Sequence, residues 1–170
     1  MLALWGLAGC HRTHWVIEPA TLPYKVTGAS DPTMISMQSR FNKEGIRVMT
    51  EGQDYLVSIP STILFPNESP ALRWRAYAPL NAIVCYLKQF REIAITVTAY
   101  SEPCVSQQRD RALTLARARA VGDYLWSQGI DSRFIFTRGL GSDKPIVSFV
   151  RKGDLSPNSR VEITFRDAVA

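Results

Sequence analysis

Apolar positions recur along this chain with two different periods, and the places where one gives way to the other mark out its elements. Ile46-Arg47-Val48-Met49 and Tyr55-Leu56-Val57-Ser58-Ile59 are β-rich runs separated by Glu51-Gly52-Gln53. They predict a hairpin in which Gly52 supplies the unusual backbone angles, and Ile63-Leu64-Phe65 reads as an extension of the same sheet. Leu80, Ile83, Val84, Leu87 and Phe90 then fall on one face at helical spacing, which predicts an amphipathic helix. The run from Ile93 to Tyr100 is rich in β-branched residues and reads as a central strand. Residues 107–128 carry the longest helical pattern, closed by Gly129 where a left-handed cap belongs. Phe134 to Thr137 reads as a further strand, Gly139 to Pro145 as turn chemistry, and Arg160 to Phe165 as a half-buried strand with strict alternation. Ahead of all these, Asp31-Pro32 has the form of a helix start, with Met34, Ile35, Met37 and Phe41 behind it and Gly45 as its stop. A hairpin, a helix, a strand, a helix and two last strands suit a two-layer α+β sandwich with a mixed sheet and helices on one face.

Composition narrows the class without naming a function. With 170 residues, 46% hydrophobic and 21% charged, the chain has room for one domain with a proper core and is not low-complexity. Its net charge of +5 attracts polyanions in general, acidic lipid and wall polymer as much as nucleic acid. The positive residues are dispersed, so a nucleic-acid partner is not expected. No apolar run reaches the roughly 18 residues of a membrane span. The apolar opening, Leu2 to Gly9, ends in Leu7-Ala8-Gly9-Cys10, which resembles a bacterial lipobox, the site where a cysteine sulfur receives diacylglycerol. Residues 1–9 carry no Lys or Arg for a basic leader, and an ordinary thiol at Cys10 is the competing reading. If Cys10 is acylated, several buried acyl chains fix the protein to a membrane. The organisation expected is therefore 1–9 as the remnant of a signal peptide, 10–30 as a lipidated tether, 31–44 as an entry helix and 45–167 as the folded domain. Cys85, inside an apolar helical pattern, is expected to be a small buried hydrophobe. Cys104 falls in a loop, and both are read as free thiols.

One residue resists the ordinary reading of its helix. With Leu113 at zero on a wheel of about 100° per residue, Ala116, Ala120, Val121 and Tyr124 cluster within roughly 80° and Arg117 lands near 40°. A guanidinium facing a core must snorkel or be paired, because it cannot give up its proton. Left unpaired it would cost about 3–5 kcal/mol, so a carboxylate must lie close. The candidate in the same wall is Glu102, just past the central strand. Two arrangements satisfy it. One is a plain salt bridge tying strand to helix. The other is a cleft in which Arg117 takes a ligand's carboxylate and Glu102 its ammonium, which describes an amino-acid-like zwitterion.

From Gly45 to Phe165 the chain resembles the OmpA C-terminal-like family of peptidoglycan-binding domains, most clearly over residues 99–125. The family's strand-closing aspartate, helical asparagine, Leu-Ser, Arg-Ala, Val and Leu correspond here to Glu102, Asp110, Leu113-Thr114, Arg117-Ala118, Val121 and Leu125, with the spacing kept. Gly139 to Pro145 is similar to the family's Gly-rich turn, and Asn158-Ser159-Arg160-Val161-Glu162-Ile163 to its Asn-Arg-Arg-Val-Glu strand entry. The resemblance implies an OmpA-C-like sandwich and a site that holds the diaminopimelate head group of the cell wall. It assigns Glu102 and Arg117 to that ligand, with Asp110 and Arg160 as lesser neighbours. Glu102 is a methylene longer than the family's residue, Asp110 adds a charge, and Ser159 removes one. Lipobox, short tether and a lone divergent domain also resemble the small outer-membrane lipoproteins of type IVB secretion core complexes.

These readings converge on an outer-membrane lipoprotein, lipid-anchored through Cys10 on the periplasmic face. It would bind peptidoglycan and anchor an envelope assembly whose other core subunits are its partners. The competing expectation is a structural subunit of a secretion machine whose wall pocket no longer binds. An enzyme is not expected: the histidines, His11 and His14, lie in the tether, and no nucleophile, cofactor or metal-ligand spacing stands out.

Overall fold

A computed structural model of the chain describes residues 32–90, 94–148 and 153–166. Cys10, the tether, the proposed cap Asp31 and Ile93 lie outside the described residues. Helix α1 runs Pro32–Lys43, followed by strands β1 (Arg47–Glu51) and β2 (Asp54–Pro60). Gly52 and Gln53 close this hairpin as a two-residue turn, with Glu51 opposite Asp54 and Gly52 at φ +62. That is the left-handed geometry a tight hairpin requires. A single helical turn α2 (Ser61–Leu64) follows, then α3 (Tyr77–Leu87), β3 (Ile95–Tyr100), α4 (Gln107–Ser127), β4 (Ile135–Gly141) and β5 (Arg160–Arg166).

Among the described residues the strands form one sheet in the order β1-β2-β5-β3-β4. The β3–β4 pair is parallel and the other pairings are antiparallel, so the sheet is mixed and the fold is α+β. Helix α4 is the crossover that makes β3 and β4 parallel, as such a connection requires. Val57, Ile59, Val97, Ala99, Val161 and Ile163 point to the covered face and are fully buried. Met34 and Phe41 of α1 are buried in the same core, and Phe41 meets Tyr86 of α3 edge-on at 5.7 Å. The first helix is therefore part of the core.

Three expectations change. Ile63-Leu64-Phe65 does not extend the sheet. Phe65 is held extended ahead of Pro66, and Phe65 N–H donates back to Ser61, which makes a helical turn that buries Leu64 and Phe65 over the end of the sheet. Gly139 to Gly141, read as a turn, is still β4. A Cβ on Gly139 would sit 2.2 Å from the backbone nitrogen of Leu115, so this glycine lets α4 lie against the strand. Cys85 is exposed and free, because on α3 it stands about 140° from the stripe centred near Leu80.

Candidate functional site

The site lies where the carboxyl end of β3 meets the first turns of α4. Ser106 caps that helix, its side chain accepting from the Arg109 N–H, which satisfies one of the helix's open donors. The buried stripe of α4 is Asp110, Thr114, Arg117, Ala118, Val121, Gly122 and Leu125. It is rotated from the expected one: Leu113, Ala116, Ala120 and Tyr124 are half-buried, Thr114 stands near the centre of the stripe and Arg117 at its edge. Polar residues can occupy this stripe because each is bonded. Thr114 Oγ1 donates to the Asp110 carbonyl at 2.8 Å and accepts from Gly141 N–H at 3.0 Å.

Arg117 is 0% exposed and does have its carboxylate, but the partner is Asp154. Nη1 and Nη2 donate to the two Asp154 oxygens at 2.6 and 2.8 Å, a bidentate fork. Nε donates to the Ser69 carbonyl at 3.0 Å and Nη2 to the Pro66 carbonyl at 3.3 Å. The guanidinium carbon lies 5.1 Å from the Phe65 ring centre. Asp154 also accepts the Glu68 N–H at 2.8 Å. Glu68 holds φ +52, a left-handed conformation uncommon for a residue with a side chain, and the turn delivers its amide to that carboxylate.

Glu102, expected opposite Arg117, is also buried but engaged elsewhere. Its carboxylate accepts the Ser156 hydroxyl and the Asn158 side-chain amide, and its own N–H donates to Ser159 Oγ at 3.2 Å. Asn158 is fixed in turn by Ile146 and Val147, whose N–H groups donate to its Oδ1 at 2.7 and 2.9 Å. The pairing of Glu102 with Arg117 across an open cleft is therefore corrected. The segment Asp154 to Asn158 lies on both groups, because it supplies an acid for the cation and donors for the anion.

The two lesser candidates separate. Asp110 is buried, accepts the Cys104 N–H at 3.2 Å, and lines a cleft of about 270 Å³ with Pro103, Val105 and Ser142. Arg160 borders the site from behind, its Nη1 donating to the Asn158 carbonyl at 3.1 Å. The alternation of β5 that buries Val161 and Ile163 puts Arg160 on the other face, paired with Glu162 at 2.7 Å and stacked over Tyr100 at 4.0 Å. At the rim, the Cys104 thiol donates to Glu68 at 2.9 Å, and that hydrogen bond pushes the thiol's pKa up.

Asp154 is the residue sequence reasoning missed. The loop between Gly141 and Arg160 holds two carboxylates, Asp143 and Asp154. Asp143 lies out on the surface, held by Arg111 at 2.9 Å, which leaves Asp154 free to turn inward. The cue available was the buried arginine's need for an acid together with the preceding Gly153, which takes φ +80.

This chain belongs to the OmpA family, which matches over residues 64–154. It is similar to the Peptidoglycan-associated lipoprotein of Mesorhizobium japonicum, 25% identical over 146 residues that make up 86% of this chain and 77% of that one. It is similar to the protein named Probable lipoprotein YiaD of Escherichia coli, 27% identical over 128 residues, 75% of this chain and 58% of that protein. The chain thus spans a little over half of YiaD's length. A third relative, the Peptidoglycan-binding protein ArfA of Mycobacterium tuberculosis, is 34% identical over 101 residues, 59% of this chain and 31% of that one. Among solved structures, the cell wall anchor of the type VI secretion system of Pseudomonas aeruginosa superposes with a TM-score of 0.67 at 22% identity, covering 78% of this chain and 96% of that one. The periplasmic domain of Helicobacter pylori MotB superposes at 0.65 and 23% identity, covering 74% and 82%. These two show the shared fold.

Proposed function

We propose that the chain is the wall-anchoring module of an outer-membrane lipoprotein, which holds the diaminopimelate head group of peptidoglycan between Arg117 and Glu102. The carrying observation is a pair of buried groups of opposite charge, one satisfied by a carboxylate and the other by hydroxyl and amide donors. An amino-acid zwitterion would present a carboxylate to the first and ammonium N–H donors to the second. The names of two relatives, one a peptidoglycan-associated lipoprotein and one a peptidoglycan-binding protein, support the same ligand. Cys10 would supply the lipid anchor, and an envelope machine, a type IV secretion core complex on this reading, would be what the module ties to the wall.

A second reading has an observation of its own. Arg117 and Glu102 are each bonded within the chain, as a structural subunit with a non-binding pocket would have them. Co-sedimentation of the full chain with purified sacculi, with free diaminopimelate as competitor, separates the two. The anchoring reading expects the protein in the pellet, released by the competitor, and Arg117→Ala in the supernatant. Protein that stays soluble while co-purifying with a large envelope complex supports the structural subunit instead.

A further inference from the structure

We infer that the segment Asp154 to Asn158 is a built-in competitor for the site, an internal imitation of the ligand's head group. This inference rests on the wall-binding reading above and names how that site is controlled. Asp154 puts two carboxylate oxygens into the Arg117 fork. Two residues further on, Ser156 brings a hydroxyl to Glu102, and two beyond that Asn158 brings an amide. One short stretch therefore presents an acid at one end and donors at the other, the same polarity as an amino-acid zwitterion.

The segment is fastened by ties within itself and to the neighbouring loops, Asn158 Oδ1 accepting from Ile146 and Val147. Glu68 N–H donates to Asp154, Ser159 Oγ donates to the Gly153 carbonyl at 3.0 Å, and Ser156 Oγ accepts the Asn158 N–H at 3.0 Å. Between its two polar ends Leu155 points outward, 79% exposed, so no apolar burial at this position holds the segment down. A tethered carboxylate competes at a high effective concentration, so a lone carboxylate from solution cannot displace it. A ligand that carries both an acid and an ammonium recovers both sets of bonds when the segment lifts. Binding is then an exchange, and the measured affinity is the intrinsic affinity reduced by the fraction of molecules with the segment lifted.

The test is calorimetric titration of the full chain with meso-diaminopimelate, for the wild type, Asp154→Asn and Asp154→Asn with Arg117→Ala. Asp154→Asn weakens the internal ligand and is expected to bind about tenfold tighter or more, while the double variant does not bind. A fluorophore on Leu155→Cys, in a chain with Cys10, Cys85 and Cys104 changed to serine, reads the same event with Asp154 intact. Its emission is expected to shift on addition of diaminopimelate and to stay unchanged with acetate. If the wild type binds through Arg117 but Asp154→Asn binds no tighter and the fluorophore is silent, the competitor is overturned and wall binding stands. If neither the wild type nor Asp154→Asn binds, both fall.

Discussion

Among the described residues two arginines are buried, one on each side of the sheet, and they find their acids in different ways. Arg160 finds its acid two residues along its own strand, where the pleat places Glu162 on the same face, and the Tyr100 ring lies beneath it at 4.0 Å. Arg117 finds its acid 37 residues away, in a loop, and its remaining donors reach the carbonyls of Ser69 and Pro66 on another loop. The first pair forms whenever β5 forms. The second forms only when loops 66–69 and 153–159 close over α4. A strand neighbour suits a fixed ion pair, while a carboxylate brought in from a loop can be exchanged for another.

The largest effect should come from breaking the loop-borne pair on one side only. Arg117→Ala, and separately Asp154→Ala, should each cost about 3–5 kcal/mol in chemical unfolding, because a buried charge is left without its partner. Arg117→Met combined with Asp154→Leu should recover most of that loss, since apolar groups of similar size often replace a buried pair at little cost. Arg160→Ala should cost less, about 1–3 kcal/mol. Glu162 is 15% exposed on its side chain and can be rehydrated. If the two single losses were equal, the distinction between a strand-borne and a loop-borne pair would fail.

The smallest effect belongs to an exposed arginine pair, Arg111 with Asp143. Hydrogen bonds from Arg111 and then Gln107 hold the Asp143 carboxyl below its ordinary value of 3.8. A depressed folded value means that this contribution is present above 3.8 and is lost as the pH falls through the folded value. Asp143→Asn should therefore flatten the acid limb of a stability-against-pH curve. Added salt should shrink the difference, as it does for exposed pairs.

The same contrast explains what could be read from the sequence. The period-two run of β5 shows that Val161 and Ile163 share the buried face, and the same alternation sends Arg160 to the other one. Family likeness set Arg160 beside the site, and it reaches the site through the Asn158 carbonyl from that other face. The burial of Arg117 and its need for an acid were legible from helical spacing. The centre of the stripe was not, because Asp110 and Thr114 are polar and buried with their bonds made, and a hydrophobic wheel counts them as surface. The identity of the acid was not legible either. Which of Asp143 and Asp154 turns inward depends on how a long loop packs, and on a left-handed Glu68 whose amide completes the Asp154 site. Ile63 to Phe65 looked like strand from local preference alone, and the need to cover the end of the sheet around Arg117 overrode it.

A crystal structure of the protein with a diaminopimelate-containing muropeptide would bear most directly on the role of the Arg117 fork. The account predicts a ligand carboxylate bonded to both terminal nitrogens of Arg117, the ligand's ammonium on Glu102, and Asp154 displaced from the pocket. A muropeptide bound at another surface, with Asp154 still seated in the fork, would contradict it.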